Sequence, residues 1–242
     1  YTAFLDRDGL RGARIGVPRQ VYSGYSSKVD AVISEAIERI RQLGAVLIDP
    51  ADIPTAKQMS ESRSEETVLL FELKADLNAY LAELVGSPVR TLADVIAFNK
   101  EHAIEELPYF GQEHFLEAEE KGGLDDPTYL AALEENRRLA RQEGIDAVMD
   151  QYQLDALIMP TISLPCRIDL INGDHYSGAC TQPAALAGYP AISVPAGFIF
   201  NLPVGLTFMG RAYSEPTLIK LAYAFEQGTL ARRPPRYFPT TP

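Results

Sequence analysis

The sequence predicts an α/β protein built on a mixed, largely parallel β-sheet flanked by helices. Three observations carry this reading. The first fifty residues read strand, helix, strand; a long charged amphipathic stretch follows; and after Leu154 short, almost uniformly apolar runs return. Apolar runs without alternation fit strands covered on both faces. A strand–helix–strand unit favours parallel pairing with a right-handed crossover. On this basis residues 1–242 read as a single α/β unit with a mainly helical layer at about 65–152.

Gly9-Leu10-Arg11-Gly12 reads as a turn feeding the strand Ala13-Arg14-Ile15-Gly16-Val17-Pro18, which proline stops. Val29, Ile33, Ile37, Ile40 and Leu43 then recur at helical spacing, and Gly44 supplies the stop. Ala45 to Ile48 is the next strand. Helices are expected at Thr67–Val85, Thr91–Glu105 and Pro127–Tyr152, divided by Gly86-Ser87-Pro88 and Lys121-Gly122-Gly123. Asp155 to Met159, Ala191 to Val194 and Val204 to Phe208 complete the strands. Pro216 to Gln227 closes the chain as a helix with Leu218, Leu221, Ala222 and Phe225 on one face. The arginines Arg232, Arg233 and Arg236 are interleaved with Pro234, Pro235 and Pro239 and read as an extended surface strap.

At 242 residues and 46% hydrophobic side chains, the chain can bury a substantial core. Its formal charge of -11, from 22 Lys plus Arg against 33 Asp plus Glu, sets up a field that repels phosphate backbones and anionic lipid. No nucleic-acid partner is expected. No apolar run reaches a membrane-spanning length, and no membrane partner or signal peptide is expected. Cys166 and Cys180 are too few for a disulfide framework, so a reducing cytoplasm is the plainer expectation. The chain opens at Tyr1 rather than a methionine, and an upstream segment is expected.

Read for chemistry, the chain contains no Gly-x-Ser-x-Gly elbow, and its glycines form no phosphate-binding fingerprint. His102, His114 and His175 lack metal-ligand spacing and read as surface or packing residues. The neighbouring acids Glu105-Glu106, Glu119-Glu120 and Asp125-Asp126 read as solvated helix surface. The least ordinary stretch is Tyr176 to Pro190, where small residues permit close backbone approach. It reads either as a pocket wall or as tight helix-on-sheet packing.

Within that stretch, Pro183-Ala184-Ala185-Leu186-Ala187-Gly188-Tyr189-Pro190-Ala191-Ile192-Ser193-Val194-Pro195-Ala196-Gly197 resembles the pattern near the C-terminus of amidase-signature hydrolases. Leu202-Pro203-Val204-Gly205-Leu206, Gly12 to Pro18, Tyr109-Phe110-Gly111-Gln112-Glu113, Leu154 to Leu157 with Pro160-Thr161, and Ala222 to Gln227 extend the match in family order. The resemblance implies the C-terminal portion of an α/β/α fold around a large mixed sheet, and hydrolysis of a carboxylic amide in the parent enzyme. It implies no metal or organic cofactor.

The family's machinery is a serine nucleophile, a bridging cis-serine and a lysine, with an oxyanion held by a Gly-Ser-Ser-Gly-Gly-Ser-like loop. No such string occurs here. Ser26-Ser27-Lys28 has the residue types without the glycines or the spacing, so no catalytic residue is assigned and the triad is expected upstream. Ser177 and Ser193 earn no nucleophile assignment. By motif position, the resemblance makes Thr161, Tyr176, Gly178, Thr181 and Gln182 the candidates for lining the substrate pocket.

A transamidosome-type amidase is expected to carry an acidic residue shortly before the Thr-x-Pro-Ala motif and a basic one after Phe-Gly-x-Glu, where this chain has Gly178 and Leu116. A charged amino-acid substrate would leave its own charges unpaired there, so a neutral, fairly apolar, non-peptide small-molecule amide is expected. The alternatives are a non-catalytic binding or assembly module that keeps the fold, and an independent hydrolase using Ser177 and Lys220. Half of a divided sheet exposes strand edges, so the chain is expected to associate with the complementary N-terminal half or with a second copy as a homo-oligomer.

Overall fold

The computed structural model describes residues 1–166 and 168–237. The strand β1 (Arg14–Gly16) leads into helix α1 (Ser27–Gln42), which returns the chain to β2 (Val46–Ile48). Ser26 caps α1 by accepting from the Lys28 amide at 3.3 Å, the cap role its short polar side chain suits. Val29, Ile33, Ala36, Ile37 and Ile40 form the buried face of the helix. Gly44 stops it with φ +96, a conformation that glycine adopts without cost. β1 and β2 pair in parallel, Ile15 opposite Leu47.

Two compact units follow from the chain's internal contacts. One combines Tyr1–Glu61 with the chain from Arg137 onward; the other is Ser62–Asn136. The first also holds α2 (Ala56–Glu61), α8 (Asp146–Tyr152), β3 (Ala156–Pro160), α9 (Gln182–Ala187), β4 (Ala191–Ile199), β5 (Leu202–Met209) and α10 (Glu215–Thr229). The second holds α3 (Ser64–Glu83), α4 (Leu92–Glu101), α5 (Ala103–Glu106), α6 (Glu113–Glu119) and nearly all of α7 (Pro127–Arg137). In the helical unit Val68 and Phe71 pack on Tyr129 and Ala132, and Leu70 packs with Leu92 and Ala118.

The sheet has five strands in the order β2-β1-β3-β5-β4. β1 pairs in parallel with β2 and β3, whereas β5 runs antiparallel to both of its neighbours, so four strands point one way and β5 the other. Along β3 the side chains divide between two cores. Ala156 and Ile158 face α1 and α10 with Phe208 and Phe225; Leu157 and Met159 face Ala140, Ile145, Val148 and Ala184 on the opposite side. Burial of both faces explains the run of five buried residues in β3 and the absence of alternation in its sequence.

The helix expected over Pro127–Tyr152 is helical throughout but not uniform, because Arg138–Ile145 is wound as π-helix between α7 and α8. The helix expected over Thr91–Glu105 divides at His102 into α4 and α5. No helix of the described residues is long and apolar enough to cross a membrane. The strap expected over Arg232–Pro239 has neither helix nor strand as far as Tyr237, with the Arg233 guanidinium 4.8 Å above the Phe198 ring. Pro239 lies outside the described residues.

Candidate functional site

The carboxyl end of β3 places Thr161 where the sheet gives way to loop. Its amide donates to the Gly205 carbonyl at 2.9 Å. A side chain at 205 would come within 2.6 Å of the Thr161 hydroxyl, so glycine there lets the threonine approach β5. The Thr161 hydroxyl lies 2.8 Å from that of Thr207 and 3.4 Å from that of Ser193, while Ser193 and Thr207 are 2.8 Å apart. Thr207 is opposite both Met159 and Ser193 in the ladder. β4, β5 and the residue that follows β3 therefore bring three hydroxyls into one triangle, with Thr207 buried and Ser193 exposed.

Beyond Thr161 the chain makes an excursion and returns to the same place. Ile162 bridges Ala179; the Ser163 amide donates to Gly178 O at 2.8 Å and the Cys180 amide to Thr161 O at 3.2 Å. Between these bonds, the residues described from Ile168 to Ser177 are mostly exposed, including Tyr176. Within this stretch Asp169 accepts the Ile171 and Asn172 amides, each at 3.0 Å, and hydrogen bonds from Asn172 hold its carboxyl below the usual value.

Tyr25 lies against this segment. Gly178 has φ +144, and a Cβ added there would overlap the edge of the Tyr25 ring, coming within 2.6 Å of Cδ1. The Ser177 hydroxyl donates to the Tyr25 carbonyl at 3.3 Å. Burial pushes the Tyr25 phenol well up from its ordinary value, and the acidic groups of Cys180, Tyr22 and Tyr176 add to the effect. The phenol is therefore neutral at any ordinary pH. Burial likewise raises the Cys180 thiol, against a hydrogen bond with Thr207 that acts the other way.

Of the five residues expected to line a pocket, Thr161 joins the hydroxyl triangle, Gly178 packs on Tyr25, and Tyr176 is exposed beside them. Thr181 is exposed at the start of α9. Gln182 directs its amide nitrogen to the Met59 carbonyl at 3.3 Å. The bridge between 161–163 and 178–180 gathers the first three, and α9 carries on from there into the core through Ala184 and Ala187. The small-residue stretch thus bridges the chain after β3 at one end and packs on the sheet at the other.

Sequence reasoning did not single out Tyr25 or Thr207. Thr207 sits inside an apolar run at the register position of Ser193, which is the signal that could have found it. Ser177 and Lys220 do not pair: Ser177 is bonded to Tyr25, and the Lys220 stem lies beside Gly9. Ser26 and Ser27 serve the start of α1. His102 stacks on Phe98 at 4.1 Å, and His114 lies 3.7 Å from Glu117. Among the described residues no three or more His, Cys, Asp or Glu side chains gather as a metal ion would require.

The family model described as Amidase matches residues 3–219. A probable amidase of Arabidopsis thaliana is 37% identical over 241 residues, covering 98% of this chain and 42% of the relative. A glutamyl-tRNA(Gln) amidotransferase component of Desulforamulus reducens is 33% identical, over 95% of this chain and 47% of its own length. The crystal structure of native peptide amidase from Stenotrophomonas maltophilia superimposes with a TM-score of 0.87 at 45% identity, over 98% of this chain and 47% of that one. The chain spans less than half the length of each of these relatives. With a family model matched over most of its residues and its fold shared with a solved amidase, the chain belongs to the amidase family of amidase-signature hydrolases.

Proposed function

We propose that residues 1–242 form a wall of the acyl pocket of an amidase that converts a neutral carboxylic amide to the acid and ammonia or an amine. In this reading the serine, cis-serine and lysine belong to a part of the parent protein outside this chain, and this chain alone turns over no amide.

The observation that carries the reading is the uncharged polar character of the Thr161–Ser193–Thr207 triangle and the neighbouring Gly178–Cys180 segment. Hydroxyls both donate and accept, which suits a carboxamide that presents a carbonyl and an NH2 group. A carboxylate or ammonium placed there would lose water and meet no opposite charge in this set of groups. The likeness to a peptide amidase makes carboxamides of short peptides the first substrates to try, and Thr161, Tyr176, Gly178, Thr181 and Gln182 the residues to mutate.

The test is turnover by the complete gene product and by residues 1–242 separately. Ammonia release from neutral peptide or acyl amides by the complete protein only, with free glutamine a poor substrate, is the expected result. Preference for glutamine-like amides overturns the neutral-substrate reading. Absence of turnover by the complete protein favours a binding or assembly module instead.

A further inference from the structure

We propose that Tyr25 is a specificity-determining residue of this pocket wall: its ring fills the space beside Gly178 and so sets the position of the Tyr176–Cys180 segment. The inference rests on the amidase reading above and names a residue outside the matching motifs.

Three facts meet at Tyr25. The edge of its ring lies against the Gly178 backbone, where no Cβ fits and where φ +144 already restricts the position to glycine. Its carbonyl accepts the Ser177 hydroxyl, so main chain and ring both hold the same segment. Its own hydroxyl is buried with no hydrogen-bond partner among the described residues. A buried phenol without a partner costs stability, so what the position visibly uses is the flat ring.

The consequence for substrate follows from packing. With the ring in place, the Gly178 backbone has no room to move toward residue 25, and the wall cannot recede to admit a larger acyl group. A smaller side chain at 25 leaves a cavity behind Gly178 into which the segment can sink. The wall then fits a small amide poorly and a bulky one better. The reacting groups are untouched, so the change belongs in KM rather than kcat.

The experiment uses the complete gene product carrying Tyr25→Phe, Tyr25→Leu or Tyr25→Ala, assayed on a small and a bulky neutral acyl amide. Tyr25→Phe is expected to keep KM within about twofold. Tyr25→Leu and Tyr25→Ala are expected to raise KM for the small amide about tenfold or more, with kcat held within about threefold, and to shift preference toward the bulky amide. Unchanged KM values and ranking in Tyr25→Leu overturn the proposal. So does a rise in Tyr25→Phe as large as in Tyr25→Ala, which would assign the effect to the hydroxyl. If wild type hydrolyses neither amide, the amidase reading itself fails, a result distinct from both.

Discussion

The Thr55 hydroxyl donates to the Leu139 carbonyl at 2.6 Å, a buried bond between residues 84 positions apart. Leu139 lies in the π-helical stretch Arg138–Ile145, and Gly144, five residues on, leaves no room for a Cβ beside the same carbonyl. Side-chain donors and wide turns often occur together, since a carbonyl bonded from outside is released from the regular ladder. Thr55→Val keeps the shape and removes the donor. It is expected to lower unfolding free energy by about 1–3 kcal/mol, the cost of a buried unmet acceptor, read by urea denaturation. No loss of stability would mean that the carbonyl is satisfied without Thr55.

Helix α4 begins with a reciprocal cap: Thr91 accepts the Asp94 amide at 3.1 Å, and Asp94 accepts the Thr91 amide at 3.0 Å and the Arg90 amide at 2.9 Å. These bonds, the one from Arg90 first, hold the Asp94 carboxyl below its ordinary 3.8. A depressed folded-state value means that the stabilisation is complete above about 3.8 and is lost as pH falls through the lower folded value. Asp94→Asn is therefore expected to be less stable than wild type at neutral pH, with the gap closing under acid. A gap independent of pH in paired denaturation curves contradicts the assignment.

The Tyr189 hydroxyl donates to Asp146 at 2.8 Å, and burial followed by this carboxylate pushes the phenol up to about 12. A raised folded value contributes stability that is complete below about 10 and lost as pH rises toward 12. Tyr189→Phe is expected to flatten that alkaline decline. Spectrophotometric titration should show a late-ionising tyrosine in the wild type that the variant lacks.

Cys166 is exposed, whereas Cys180 is buried with its thiol raised by burial. Thiolate availability and access together govern alkylation. Iodoacetamide on the native protein at neutral pH is expected to modify Cys166 alone, with Cys180 reacting only after denaturation, as peptide mass mapping would show. Labelling of both at equal rates would require that the bridged segment Gly178–Cys180 opens readily.

The elements easiest to read were those whose periodicity or apolar run is local. Val29 to Ile40 announces α1, and Leu157 and Ile158 announce a strand covered on both sides. β4 ran past its expected end at Val194 to Ile199, because the edge position tolerates Pro195 and a register shift absorbs the distortion before Gly197. The reversal of β5 depends on the two-residue turn Phe200-Asn201, both with positive φ. Such turns usually announce themselves with Asn-Gly or Asp-Gly, and phenylalanine at the first place hides the signal. The site was legible only where a motif marked it. Tyr25 reaches Ser177 and Gly178 across more than half the chain from an irregular segment, and no local pattern encodes a meeting of that kind.

The excursion from Thr161 to Cys180 leaves and rejoins the sheet at one spot, fastened by the Ser163–Gly178 and Cys180–Thr161 backbone bonds. Its interior is consequently free to change length without re-registering β3 against β5, and each doubling of such a loop adds only about 0.6 kcal/mol of closure entropy. The fold thereby separates what must be inherited intact from what can be exchanged. The fastening and the strands form a fixed socket, and the residues between them form an interchangeable insert that a lineage can vary while leaving the frame alone.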